Sequence, residues 1–150
     1  MHKHLSTWLI AALLLPLAAV AALPPDVQQQ LANAKYVYIS STRKDGALSK
    51  PAEIWFMWHD GAVYVGTRPT SWRVKRIQAG RPDAKIAVGK ADGVSFTATG
   101  SLVKDAKTEA LLMQTYAKKY PDGWATHAEN FRSGFKDGSR VVVKYVPKGS

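Results

Sequence analysis

The sequence contains no cysteine and very little histidine. Only four of its 150 residues are histidines, and two of these lie within the first four positions. Without cysteine the chain can form no disulfide, has no thiolate nucleophile and cannot be anchored through a lipidated N-terminal cysteine. The other two histidines, His59 and His127, are far apart in the sequence. We therefore predict that the protein has no metal site.

Several catalytic and nucleotide-binding motifs are also absent. The chain has no Gly-x-Ser-x-Gly elbow, no Walker motif and no Gly-x-Gly-x-x-Gly turn. These absences argue against serine hydrolases and against the common phosphate-binding loops.

Acidic side chains are outnumbered by basic ones. The chain has 21 Lys and Arg residues against 11 Asp and Glu residues, a formal net charge of +10. A positive charge favours anionic ligands, nucleic acid or anionic membrane surfaces. The cations are spread along the chain except for a run around Arg73. This distribution predicts a small anionic ligand and no nucleic-acid partner.

The first 21 residues have the layout of a secretory signal peptide. A weakly basic start precedes an apolar stretch at residues 9–20, and residues 19–21 read Ala-Val-Ala, a small-x-small cleavage signal. The apolar stretch is short for a membrane span, so we expect cleavage rather than a retained anchor. Cleavage would leave residues 22–150 as one domain with a net charge of +9. We expect this domain to be periplasmic or secreted, without membrane attachment.

Periodicity and turn residues predict a mainly β fold with short helices. Strands are predicted at residues 36–43, 51–58, 62–67, 85–90, 94–103 and 140–146. A short helix is predicted to start at residue 24, and a second to run from residue 70 to about residue 79. A longer helix is predicted at residues 107–120, with helical turns within 123–139. Asp-Gly turns at residues 45–46 and 60–61 join the first three strands and force antiparallel pairing. The expected architecture is a six-stranded antiparallel split β-barrel.

Residues 67–76, which read TRPTSWRVKR, carry the clearest ligand signature. Hydroxyl side chains at the start of a predicted short helix are followed by cations, a combination suited to a phosphate group. The predicted phosphate-binding residues are Thr67, Thr70, Ser71, Arg73 and Lys75, with Arg76 as an alternative to Lys75.

The strand before this segment has a face that suits a flat ring. Glu53, Trp55 and Met57 alternate along the predicted strand at 51–58. An aromatic ring and a thioether could line a planar ligand, although core packing is the more common role of Trp and Met on a strand. An acid in an apolar strand needs a partner, so we expect Glu53 to pair with Lys50 or Arg73. A phosphate at one end and a ring at the other match flavin mononucleotide (FMN).

Four fragments together resemble the pyridoxamine 5′-phosphate oxidase-like family. They read STRKDG at 41–46, PAEIWF at 51–56, DGAVYVGT at 60–67 and SWRVKRI at 71–77. The resemblance implies a homodimeric split barrel that binds FMN in a groove between subunits. Arg73 and Lys75 match its phosphate-binding positions, and residues 50–55 would run along the ring. The cofactor-binding residues expected from the pattern and the resemblance are Lys50, Glu53, Trp55, Thr67, Thr70, Ser71, Arg73 and Lys75.

The resulting hypothesis is an exported flavin-dependent oxidoreductase acting on an unknown small-molecule substrate or electron donor. Flavin hydride transfer requires no protein acid or base, so no catalytic residue is assigned. The family's C-terminal arginine motif has no counterpart here, which argues against vitamin B6 oxidation. A second hypothesis is a binding module for deazaflavin, another anionic aromatic molecule, or haem ligated by His59 or His127. A third is a barrel that binds no ligand.

Overall fold

The computed structural model describes residues 22–149, so the predicted signal peptide lies outside the described residues. Within this range the chain forms four helices and seven strands. The helices are α1 (Pro25–Asn33), α2 (Trp72–Gln78), α3 (Ala106–Lys119) and α4 (Pro121–Asp137). The strands are β1 (Val37–Ser41), β2 (Ala52–Ile54), β3 (Met57–His59), β4 (Ala62–Thr67), β5 (Asp83–Val88), β6 (Ser95–Val103) and β7 (Val141–Pro147).

All of these strands belong to one antiparallel sheet in the order β2-β1-β5-β6-β7-β4-β3. The two edge strands, β2 and β3, are separated in sequence only by Trp55 and Phe56. The sheet must therefore curl until its edges meet at this dipeptide. In the described sheet β2 pairs with β1, and β3 pairs with β4, but β2 and β3 do not pair with each other. The product is a barrel that is split along one side, as the sequence predicted.

The predicted count of six strands is wrong by one, because the strand expected at residues 51–58 is broken in two. The break falls at Trp55 and Phe56, whose backbone groups bind side chains of α3 and its C-cap residue instead of a neighbouring strand. The Phe56 N–H donates to Tyr120 Oη at 3.0 Å, and Tyr116 Oη donates to the Trp55 carbonyl at 2.9 Å. These bonds satisfy buried polar groups that a sheet ladder would otherwise satisfy.

Turn and helix predictions are confirmed at several points. Asp60 and Gly61 both have positive φ, 46° and 72°, which makes the tight hairpin between β3 and β4. The predicted N-cap of α3 is present, since Asp105 accepts a hydrogen bond from the Thr108 N–H at 3.0 Å. The irregular helical turns expected near the C-terminus form a regular helix, α4, of 17 residues. In the described part of the chain, no helix combines the length and apolarity that crossing a bilayer requires.

Residues 22–149 form two hydrophobic clusters because the strands at the split are covered on both faces. Along β4, Val63 and Val65 point into the barrel interior, while Ala62 and Tyr64 point outward. The α3–α4 hairpin covers this outer face with a cluster that includes Leu112, Tyr116, Phe131 and Phe135. Helix α2 contributes Val74 to the barrel interior. The helical hairpin and the barrel thus enclose the split from two sides.

The hydroxyl of Tyr120 is expected to be important for stability. Replacing Tyr120 with Phe removes the acceptor of the buried Phe56 N–H and the bond to the Lys35 carbonyl, which measures 2.7 Å. A buried donor left without a partner costs about 1–3 kcal/mol. We therefore expect Tyr120→Phe to lower the free energy of unfolding by about that amount in urea denaturation.

Tyr38→Phe is the matched control for this experiment. Its hydroxyl bonds Glu53 at the surface, where water can replace the lost partner. The free energy of unfolding should barely change for this variant. Equal losses for both variants would show that the hydroxyl of Tyr120 has no special role at the strand break.

Candidate functional site

Two grooves open along the split, and the same two chain segments flank both. One segment, residues 50–55, contains β2; the other, residues 66–73, leads from β4 into α2. The cationic groove, about 320 Å³, is lined from these segments by Lys50, Ala52 and residues 71–73. The aromatic groove, about 400 Å³, is lined from them by residues 53–55 and 66–68. The two grooves share no lining residue, but the same two segments border both, and we call the region that these segments flank the split cleft.

Basic and hydroxyl side chains dominate the cationic groove. Arg76 Nη1 donates to Ser41 Oγ at 2.7 Å, and Lys50 and Arg73 line the same groove. None of these three cations takes part in an ion pair among residues 22–149. No acidic side chain of the described chain lines this groove. An anion entering it would gain charge-assisted hydrogen bonds without displacing a carboxylate.

Arg73 is the most informative side chain of the cationic groove. Its Nη1 atom and the neighbouring Ser71 Oγ are both buried, and neither has a hydrogen-bond partner among the described residues. Burial lowers the pKa of the Arg73 guanidinium below its ordinary value. A buried charge and a buried hydroxyl without partners both cost free energy. Because both residues line the cationic groove, these atoms indicate a position for an anionic group.

A third buried polar atom extends this arrangement into the barrel. Tyr145 Oη likewise has no partner among the described residues. Burial raises the pKa of Tyr145, while the positive charge of Arg73 lowers it in part. The guanidinium of Arg73 is therefore close enough to Tyr145 for their charges to interact, and it points from α2 into the barrel interior.

Trp55 forms one wall of the aromatic groove. Its ring stacks on Tyr120 with centroids 4.3 Å apart and planes 8° apart, and the His127 ring meets its edge at 5.7 Å. Tyr116 and Phe131 also line the groove. Because Tyr120 is buried and hydrogen-bonded, Trp55 is held in a fixed position. The groove therefore offers a rigid aromatic surface that suits a flat ring.

Helix α4 supplies the opposite wall of the aromatic groove. A Cβ atom at Gly66 would lie 2.5 Å from Phe131, so only glycine lets α4 approach β4 this closely. Arg68 and Arg140 also line the groove, and the Arg140 guanidinium carbon lies 5.7 Å from the Phe131 ring centroid. Sequence reasoning missed Arg140 because the segment after α4 is remote in sequence from the strands that it covers. Arg68 lies within the basic segment at residues 67–76 but was not among the residues predicted to bind the ligand.

The expected partner of Glu53 was wrong. The Tyr38 hydroxyl on the neighbouring strand donates to the Glu53 carboxylate at 2.5 Å, whereas no described ion pair links Glu53 to Lys50 or Arg73. The carboxylate raises the pKa of Tyr38 by accepting this hydrogen bond. Register explains the pairing, because Tyr38 and Glu53 are directly opposite in β1 and β2.

The eight predicted cofactor residues separate into three groups. Those in the cationic groove are Lys50, Ser71 and Arg73. Those in the aromatic groove are Glu53, Trp55 and Thr67. Two exposed residues, Thr70 and Lys75, line neither groove. The assignment of these eight residues to a cofactor stays a prediction.

The two histidines differ in position. His59 Nε2 lies 3.1 Å from the Asp60 carboxylate at the end of β3 and lines neither groove. His127 lies on α4 and faces the aromatic groove. Over residues 22–149, no group of three or more histidine, aspartate or glutamate side chains is arranged to hold a metal ion.

Comparison with solved structures supports the architecture. A candidate pyridoxamine 5′-phosphate oxidase from Listeria innocua matches with a TM-score of 0.61 and 15% identity, over 83% of this chain and 92% of that one. The haem storage protein HutZ from Vibrio cholerae matches with a TM-score of 0.59 and 12% identity, over 87% and 93%. An F420 reductase matches with a TM-score of 0.56 and 16% identity, over 85% and 97%.

Sequence comparison adds no relative. No family model matches the chain, and no curated protein matches it either. Each of the three structural matches nevertheless covers most of both chains. The protein therefore has the pyridoxamine 5′-phosphate oxidase-like split-barrel fold, as the resemblance implied.

A separate small depression, which Trp55 also lines, contains a lysine, Lys119, whose titration can be measured. Lys119 Nζ donates to the Phe56 carbonyl at 3.1 Å and lies 3.3 Å from the Phe56 ring centroid. Lys35 and Asp122 line the same small depression, and no described ion pair includes Lys119. Burial lowers the pKa of Lys119 from 10.5 to about 8.

This shift predicts a pH-dependent contribution of Lys119 to stability. Between pH 8 and 10.5 the unfolded chain binds more protons at Lys119 than the folded chain, so the stability contribution rises with pH. Below pH 8 the full cost of burying the ammonium is present. The free energy of unfolding of the wild type minus that of Lys119→Met should therefore increase from pH 8 to pH 10. A difference that stays flat across this range would contradict the lowered pKa.

Proposed function

We propose that this protein is a flavoprotein that binds FMN in the split cleft and uses it for a redox reaction. The observation that carries the proposal is the buried, unpartnered pair of Arg73 Nη1 and Ser71 Oγ at one end of a cleft whose other end is aromatic. Buried polar atoms in folded proteins are almost always satisfied. A phosphate group would satisfy both atoms and neutralise the guanidinium.

The order of residues along the cleft matches the two ends of FMN. Residues 50–52 and 71–73 provide the cationic end, while residues 53–55 and 66–68 provide the aromatic end. In this arrangement Arg73, Arg76 and Lys50 would hold the phosphate, with Ser71 as a hydroxyl donor. Trp55, fixed against Tyr120, would lie along the flavin ring.

The protein's own contribution would be binding, orientation and tuning. Flavin, when bound, supplies hydride and electron transfer that no side chain provides. The cations of the groove would hold the phosphate in place, and the Trp55–Tyr120 stack would fix the plane of the ring. Glu53, bonded to Tyr38, would contribute negative charge near that plane. The substrate would approach from the open side of the aromatic groove.

We further propose that the working form is an exported homodimer. The resemblance to split-barrel flavoproteins and the apolar N-terminal residues support this part of the proposal. The partner in the reaction would be a small molecule or an electron donor.

Arg73→Met tests the phosphate site directly. Methionine keeps the length and the apolar stem of the side chain but removes the charge. Loss of charge-assisted hydrogen bonds to phosphate should weaken FMN binding about 10- to 100-fold, measured by quenching of flavin fluorescence. Lys85→Met, which removes an exposed cation from β5 outside both grooves, is the matched control and should leave the affinity unchanged.

Riboflavin distinguishes binding of the phosphate group from binding of the flavin ring. It has the ring but no phosphate, so the wild type and Arg73→Met should bind it equally. Equal FMN affinity in the wild type and Arg73→Met would refute the phosphate assignment. Failure of the wild type to bind FMN at all would refute the flavoprotein proposal.

A second candidate function is haem binding, which one observation favours. His127 faces the aromatic groove beside Trp55, and Arg68 and Arg140 line that groove as possible partners for propionate groups. A neighbour in the structure comparison, HutZ, is named as a haem storage protein. This candidate predicts a Soret band that is lost in His127→Ala and kept in His59→Ala. A band that survives His127→Ala would dismiss ligation by this residue.

Deazaflavin is a third candidate ligand, since it also combines a flat aromatic ring with an anionic tail. The F420 reductase among the structural neighbours supports this alternative. It would use the same cationic and aromatic grooves, and competition with FMN would identify it.

A further inference from the structure

Trp72 is the most exposed of the large hydrophobic side chains that the structure describes, with 68% of its surface accessible. It is the first residue of α2 and lies between Ser71 and Arg73, two of the three described residues with unpartnered buried polar atoms. Trp72 is also among the residues that line the cationic groove. A large exposed aromatic ring at this position has no packing role that explains it.

The surroundings of Trp72 are strongly basic. Lys75 Nζ lies 5.0 Å from the centroid of the indole ring, and the Arg76 guanidinium carbon lies 5.5 Å from it. Both residues follow Trp72 by about one turn of α2, and both cations lie over the indole ring. Trp72 nevertheless stays largely accessible, which leaves aromatic surface available for stacking.

We propose that Trp72 is a stacking platform for an adenine ring, and that the preferred ligand of the split cleft is a flavin adenine dinucleotide (FAD) rather than a mononucleotide. This inference rests on the proposed function, because it extends the same cleft beyond its phosphate site. The flavin half would lie in the aromatic groove, the pyrophosphate on Arg73, Arg76 and Lys50, and the adenine on Trp72.

Charge and geometry both favour a ligand that continues past the phosphate. A terminal phosphate would end at Ser71 and Arg73 and leave the adjacent indole ring in water. A pyrophosphate carries a second phosphate group toward Arg76 and Lys75, which no carboxylate of the described chain neutralises. Stacking of a base on an aromatic side chain adds affinity without requiring specific hydrogen bonds.

The test compares FMN, FAD and ADP as probes of the purified full-length protein at one ionic strength. Flavin fluorescence gives the dissociation constants of the two flavins, and calorimetry gives that of ADP. We expect the wild type to bind FAD about tenfold more tightly than FMN, as one stacked base implies. Trp72→Ala should abolish this preference by weakening FAD binding about tenfold more than FMN binding. Trp72→Phe, which keeps an aromatic face, should retain most of the preference.

Leu102→Ala removes another exposed apolar side chain, on β6 and outside both grooves, and should change neither affinity. Equal affinities for FMN and FAD in the wild type, or an equal loss of both in Trp72→Ala, would overturn the inference. ADP separates this inference from the proposed function because it lacks the flavin half. Binding of ADP that depends on Trp72, without binding of either flavin, would support the adenine site and refute the flavoprotein proposal. Binding of none of the three probes would refute both.

Discussion

The architecture depends on how the chain satisfies its backbone at Trp55 and Phe56. At this dipeptide the polypeptide leaves one edge of the sheet and joins the other. A continuous strand would have used ladder hydrogen bonds here, but Tyr116 of α3 and Tyr120, which caps the C-terminus of α3, supply the partners instead. The barrel stays split because these side chains take the place of strand pairing. The α3–α4 hairpin is fixed to the barrel by the same bonds, so the cleft and its cover form together.

The same break determines what the cleft can bind. Trp55 is turned toward α4, stacked on Tyr120 and contacted by His127, which gives the aromatic end of the cleft its rigidity. The opposite end lies where α2 directs Arg73 into the barrel interior. An unpartnered buried guanidinium lowers the stability of the protein when no ligand is bound. A fold selected for stability alone would have placed an apolar side chain there.

Those features of the fold that depend on local chemistry could be predicted from the sequence. The Asp60-Gly61 pair specifies a tight hairpin because both residues adopt positive φ, and Asp105 specifies the start of α3 because its carboxylate caps the helix. The basic run around Arg73 correctly drew attention to the segment that flanks the cleft. These signals lie within a few residues of the structure that they produce.

Features that depend on contacts between remote segments could not be predicted from the sequence. Residues 51–58 have the pattern of one strand, and the break within them is caused by hydroxyl groups more than 60 residues away. His127 and Arg140 line the cleft only because α4 packs against Gly66. The fold itself is shared with a haem storage protein and an F420 reductase, so it leaves the ligand open. The identity of the ligand must therefore come from the side chains of the cleft.

The most direct test of the central claim compares the unfolding free energies of the wild type and Arg73→Met, with and without saturating FMN. If Arg73 is a buried charge kept for an anionic ligand, Arg73→Met should be more stable than the wild type by about 1–3 kcal/mol when no ligand is present. FMN far above both dissociation constants should shift that difference by about 1.4–2.7 kcal/mol in favour of the wild type, because a 10- to 100-fold weaker affinity stabilises the variant by that much less. A variant that is less stable than the wild type in both conditions would contradict the account, since Arg73 would then be a structural residue.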